Sequence, residues 1–145
     1  MTGRVYADTS LLVSLYLADA NTPQALAAVT AAARPLILTA WQEFEMENAL
    51  QLRLFRQEST RADLDAATVH LAEDIAAGMV VPVPLPVAPV LPVARQLTAR
   101  HTAAYGCRAF DVFHVAVAIH LDASRFLSFD ARQLALARAA GLRVE

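Results

Sequence analysis

Two short apolar runs, each closed by an aspartate and followed at once by a helix-compatible stretch, constrain this chain more than any other feature. Arg4 to Ala7 runs into the cap residues Asp8-Thr9-Ser10 and then Leu11 to Leu17; Arg125 to Ser128 runs through Phe129 to Asp130 and a helix ending before Gly141. Between them lie a Thr22-Pro23 helix start reaching Ala33 and an apolar strand over Leu36 to Thr39. Two long stretches, Ala40 to Arg56 and Ser59 to Ala77, then read as a helical hairpin closed by Gly78. Met79 to Leu85 is β-branched, but its prolines restrict it to a sheet edge or an extended linker. Pro89 or Pro92 opens a helix to about His101, a loop surrounds Tyr105-Gly106, Phe110 to Leu121 forms a nearly all-apolar helix, and Leu142 to Val144 reads as a last strand. Short apolar strands alternating with helices require a sheet buried on both faces. The expected fold is an α/β class, three-layer α/β/α sandwich with a mainly parallel central sheet, formed by residues 1–145 as one domain.

Composition narrows the function. With 145 residues, 57% of them hydrophobic, the chain can close one core. The single Cys107 cannot form an internal disulfide and no secretory leader opens the sequence, so a reducing cytoplasm is expected. Gly78 to Ala94 is apolar, but five prolines keep it from spanning a membrane. A net charge of −2 gives no global basic field, so any nucleic-acid contact must be local. All twelve basic residues are arginine, which removes mechanisms needing a lysine. That excludes haloacid-dehalogenase-type phosphatases and receiver domains, and the four scattered glycines exclude a dinucleotide fingerprint.

Of eight aspartates and six glutamates, Asp63, Asp65, Glu73 and Asp74 read as solvated-face residues. Asp8, Asp111, Asp130 and one of Glu43, Glu45 and Glu47 instead stand in apolar surroundings, where a lone ionised carboxylate is costly. Asp8 and Asp130 follow strands and Asp111 begins a helix, positions that collect at the carboxyl edge of a parallel sheet. A purely structural reading makes each aspartate a helix N-cap. Converging carboxylates point instead to a hard cation, Mg2+ or Mn2+, and to phosphodiester hydrolysis.

The segments Tyr6-Ala7-Asp8-Thr9-Ser10-Leu11-Leu12, Glu45-Met46-Glu47-Asn48-Ala49-Leu50, Asp111-Val112-Phe113-His114-Val115-Ala116 and Phe129-Asp130-Ala131-Arg132-Gln133, in that order, resemble PIN-domain ribonucleases, most closely the VapC type of toxin. The resemblance implies a metal-dependent endoribonuclease acting on RNA, inhibited by a cognate antitoxin and forming a homodimer or higher assembly. Carried over residue by residue, it makes Asp8, Glu45, Asp111 and Asp130 the catalytic and metal-binding acids. Ser10 matches the family's small hydroxyl residue, and Ser128 stands where threonine is frequent. Glu45 is preferred over Glu43 and Glu47 because it stands three before Asn48-Ala49-Leu50.

Arg108 either steers phosphate or neutralises Asp111. His114, one turn beyond Asp111, is read as a buried hydrogen-bonded histidine in preference to a metal ligand, and Cys107 as an inert loop thiol. On the helix over Ala40 to Arg56, Trp41, Phe44 and Phe55 share a face set apart from Met46, Leu50 and Leu54, leaving apolar surface for a partner. The rival reading is a non-catalytic module that uses the same sandwich only to bind protein or RNA.

Overall fold

The computed structural model describes residues 3–144. Four strands, β1 (Val5–Ala7), β2 (Leu36–Thr39), β3 (Val80–Val83) and β4 (Arg125–Leu127), form one all-parallel sheet in the order β3-β2-β1-β4. Among the described residues the α-helices between and after them are α1 (Thr9–Tyr16), α2 (Thr22–Ala32), α3 (Ala40–Phe55), α4 (Arg61–Ala76), α5 (Val87–Leu97), α6 (Ala103–Tyr105), α7 (Ala109–His120) and α8 (Ala131–Ala139). The strand pleat sorts the core into two halves. Val5, Ala7, Leu36, Leu38 and Leu127 pack with α1 to α4, while Tyr6, Ile37 and Phe126 pack with α5, α7 and α8. The three-layer α/β sandwich with a parallel sheet is therefore the observed fold.

The strand order reverses once. The chain moves outward from β1 through β2 to β3, then returns to place β4 on the other side of β1. The carboxyl ends of β1 and β4, which carry Asp8 and Ser128, thus flank the switch point where open parallel sheets leave a crevice.

Helix starts follow local chemistry. Thr39 with Gln42 and Thr60 with Asp63 form capping boxes at α3 and α4. Among the described residues β3 is an edge strand, with Pro82 in register with Leu38.

Several boundaries differ from expectation. The helix after β3 opens at Val87 rather than at Pro89 or Pro92. Pro89 falls in the first turn, where N–H groups have no helical partner, and only Pro92 lies inside the helix. That helix also does not end near His101. A π-helical turn over Thr98–Thr102 carries it into α6, and Gly106, at φ 66°, closes it. Leu142 to Val144 contributes one parallel bridge, Phe126 to Val144. Asp74 is not simply solvated: the Tyr16 hydroxyl donates to its Oδ2 at 2.6 Å. On α3, Met46 and Leu50 are buried, whereas Phe44 and Phe55 are exposed. Among the described residues no helix is long and apolar enough to cross a membrane.

Candidate active site

Asp8 is the innermost acid, only 6% exposed. It caps α1 by accepting the Leu11 N–H on Oδ1 at 3.0 Å, and the Ser10 hydroxyl donates to the same oxygen at 3.1 Å. Its Oδ2 lies 2.7 Å from the Ser128 hydroxyl. Burial raises its carboxyl above the ordinary aspartate range, against the opposing pull of Ser128, the Leu11 N–H, Ser10 and His114.

Ser128 is the junction of the site. Its oxygen accepts the Asp130 N–H at 3.0 Å and lies 2.8 Å from Gln133 Oε1 as well as 2.7 Å from Asp8 Oδ2. A hydroxyl carries one proton, so it serves only one of those two acceptors at a time. Asp130 caps α8, with Oδ1 accepting the Arg132 and Gln133 N–H groups at 2.8 and 3.2 Å. The N-cap reading is thus realised for Asp8 and Asp130. Asp111 is different: it lies within the first turn of α7, while Arg108 holds the N-cap position with no side-chain cap bond. The Arg108 Nε is 3.6 Å from Asp111 Oδ2, but the arginine side chain is 90% exposed, so the pair contributes little to stability.

Of the three glutamates on α3, only Glu45 turns toward these acids. Its Oε1 accepts the Thr9 hydroxyl at 2.9 Å and lies 2.7 Å from His114 Nε2. Glu43 and Glu47 line a groove against α4 instead. His114 is buried, and its Nδ1 is 2.7 Å from the Tyr6 hydroxyl. The imidazole Nε2–H donates to Glu45, and Nδ1 pairs with the Tyr6 hydroxyl. Both ring nitrogens are engaged, so His114 is a hydrogen-bonded core histidine and not a free ligand. Burial, then the Glu45 and Asp8 charges, holds the Tyr6 phenol well above its usual range, keeping it a donor.

Among the described residues no three His, Cys, Asp or Glu side chains are drawn up as a metal cluster. The donor chemistry nonetheless suits a hard divalent ion. All four acids offer oxygen, and hydroxyls at Ser10, Thr9 and Ser128 orient two of them. Cys107 is buried, donates to the Arg132 carbonyl at 3.4 Å, and is pushed up by burial and by the charges of Asp111 and Asp130. That thiol is inert.

Sequence reasoning missed two buried glutamines. Gln42 Nε2 donates to the Ala7 carbonyl at 2.8 Å, tying α3 to the end of β1. Gln133 Nε2 donates to the Asp111 carbonyl at 3.2 Å. Thr39-x-x-Gln42 carried a capping-box signal, but nothing local marks either contact to a distant carbonyl.

A family model for the PIN domain matches residues 5–141. The chain belongs to the PIN-domain family. Two solved structures share the PIN fold with it. The toxin VapC20 of Mycobacterium tuberculosis, described as cleaving the sarcin-ricin loop, is 21% identical over 95% of each chain with a TM-score of 0.62. FitAcB of Neisseria gonorrhoeae is 19% identical over 97% of this chain and 95% of that one, with a TM-score of 0.55. No curated protein matches the sequence.

Proposed function

We propose that this PIN domain is a metal-dependent endoribonuclease, the toxin of a toxin–antitoxin pair, with Asp8, Glu45, Asp111 and Asp130 holding Mg2+ or Mn2+. The observation that carries this reading is the placement of Asp8 and of the Ser128–Asp130 turn at the sheet's switch point, with Glu45 and Asp111 on helices beside them. Membership of the PIN family and a fold shared with VapC20 and FitAcB support it.

Asp8, Glu45, Asp111 and Asp130 would hold the divalent ion, which would supply polarisation of phosphate oxygens and activation of water near neutral pH. The chain's own residues supply orientation. Ser10, Ser128 and the Leu11 N–H fix the Asp8 carboxylate, Thr9 and His114 fix Glu45, and backbone N–H groups fix Asp130. Arg108, exposed at the rim, attracts the RNA phosphate toward Asp111. An antitoxin and a second copy of the chain are the expected protein partners. Phe44 and Phe110, 61% and 60% exposed, flank Trp41 on one apolar face suited to self-association.

The test is incubation of the purified chain with a mixed RNA pool in Mg2+, in Mn2+ and in chelator. Cleavage in both metals and none in chelator is expected, with at least a hundred-fold loss, roughly the scale for a lost transition-state interaction, in Asp111→Asn and Asp130→Asn. Intact RNA under every condition would establish the non-catalytic module, in which Asp8 and Asp130 are caps and Glu45 is the partner of His114.

A further inference from the structure

The same residue type at the same helical position behaves differently in α3 and α8. Gln42 is the third residue of α3, and its Oε1 returns to accept the N–H of its own N-cap, Thr39, at 2.7 Å. Gln133 is the third residue of α8, yet its side chain does not return to the N-cap. The Asp130 N–H is taken by the Ser128 hydroxyl oxygen instead, and the Gln133 amide turns inward, with the residue only 1% exposed.

Burying an amide is costly unless each polar atom finds a partner, and the partners found here all belong to the candidate site. Gln133 Nε2 donates to the Asp111 carbonyl at 3.2 Å, and Oε1 lies 2.8 Å from the Ser128 hydroxyl, which in turn touches Asp8 Oδ2. Its backbone N–H donates to Asp130 Oδ1. One residue therefore touches the backbone of Asp111, the carboxylate of Asp130 and the hydroxyl that holds Asp8. Those three acids come from α7, the start of α8 and the end of β1, which no local sequence feature ties together. The Asp111 carbonyl, an acceptor, also dictates the polarity of the amide: Nε2 must face it, so Oε1 must face Ser128.

We propose that Gln133 is the positioning residue of this site, setting the mutual placement of Asp8, Asp111 and Asp130 through the Ser128 hydroxyl and the Asp111 backbone. The inference rests on the nuclease reading above and adds a residue that reading does not contain. Gln133 touches neither substrate nor metal in this role. It acts through Ser128 and Asp111, as groups behind metal ligands do when they hold a ligand's orientation.

Gln133→Met retains volume and the backbone cap to Asp130 but loses both amide contacts. Mn2+ binding by calorimetry and RNA cleavage are measured on the wild type, on this variant and on Leu136→Met, a buried α8 control. The expected result is a rise of ten-fold or more in the Mn2+ dissociation constant and a fall of ten- to a hundred-fold, on the order found for residues behind metal ligands, in kcat with KM for RNA within about three-fold. Leu136→Met, at a similar loss of Tm, changes neither. If Gln133→Met does not fold cooperatively, Gln133→Asn carries the same expectation, because it keeps a neutral amide but is one methylene too short to hold both Ser128 and the Asp111 carbonyl. Wild-type metal affinity and kcat in the folded Gln133 variant, or an equal loss in the Leu136 control, overturns the proposal while leaving the nuclease reading intact. A wild type that neither binds Mn2+ nor cuts RNA overturns both.

Discussion

At the scale of single residues, the arrangement around Ser128 is one proton short. Two acceptors, Asp8 Oδ2 and Gln133 Oε1, face one hydroxyl whose oxygen already accepts the Asp130 N–H. Asp8→Asn removes the shortage. An amide nitrogen in place of Oδ2 donates to Ser128, Ser128 donates to Gln133, and the retained oxygen still caps α1 through the Leu11 N–H. The buried charge that raises the Asp8 carboxyl is lost at the same time. The variant is therefore expected to fold, to melt higher than the wild type in chelator at neutral pH by about 1 kcal/mol, and to lose RNA cleavage. In millimolar Mg2+ the order of the melts reverses, because only the wild type gains binding energy. Thermal melts with and without chelator beside a cleavage assay check this. A lower melt in chelator would make Asp8 a structural cap alone.

Between elements, the turn from α1 to α2 is tied to the end of α3 by one acid. Asp19 Oδ2 accepts from Arg53 Nη2 and the Ser14 hydroxyl, each at 2.8 Å, and its Oδ1 accepts the Asn21 N–H. Partial burial alone would raise the carboxyl, but the bonds from Arg53, Ser14 and Asn21 outweigh it and hold Asp19 below its ordinary value. A depressed folded value means that this stabilisation is complete above the unfolded pKa, about 3.9, and disappears as pH falls through the folded value. Arg53→Met should therefore lower Tm by a few degrees at pH 7, with the difference shrinking below pH 4. Melts of both proteins from pH 7 to pH 3 measure it, and a gap that stays constant across that range would place the contribution of Arg53 in packing rather than charge. The helix after β3 teaches a related lesson about elements. Pro89 and Pro92 were natural start signals, but a first-turn proline sacrifices no helical bond, so helix formation extends upstream to Val87.

For the molecule as a whole, the face bearing Trp41, Phe44, Phe110 and the exposed Leu91 is the apolar surface expected to cover itself with a second copy. Light scattering should give a dimer for the wild type, and Phe44→Arg combined with Phe110→Arg should give a monomer that retains its Tm within a few degrees. A wild type that stays monomeric at every concentration sinks this expectation. Periodicity and capping chemistry alone made the three-layer class legible, because a sheet buried on both faces demands uninterrupted apolar strands such as Val5 to Ala7, and helices announce their starts with residues such as Asp8 and Asp130. The unusual placement of Asp8 and Asp130 was legible too, since each follows a short, mostly apolar strand segment and precedes a helix. What required the tertiary structure was every relation across the sheet. Motif spacing already preferred Glu45, but the bonds that hold it come from Thr9 and His114, and the engagement of His114 by Tyr6 spans 108 positions of the chain. Gln133 stood in the last of the motif segments with no role assigned to it. Its role follows from β4 lying beside β1, a strand order set by the packing of the entire chain, and no local preference encodes a hydrogen bond to a carbonyl 22 residues away.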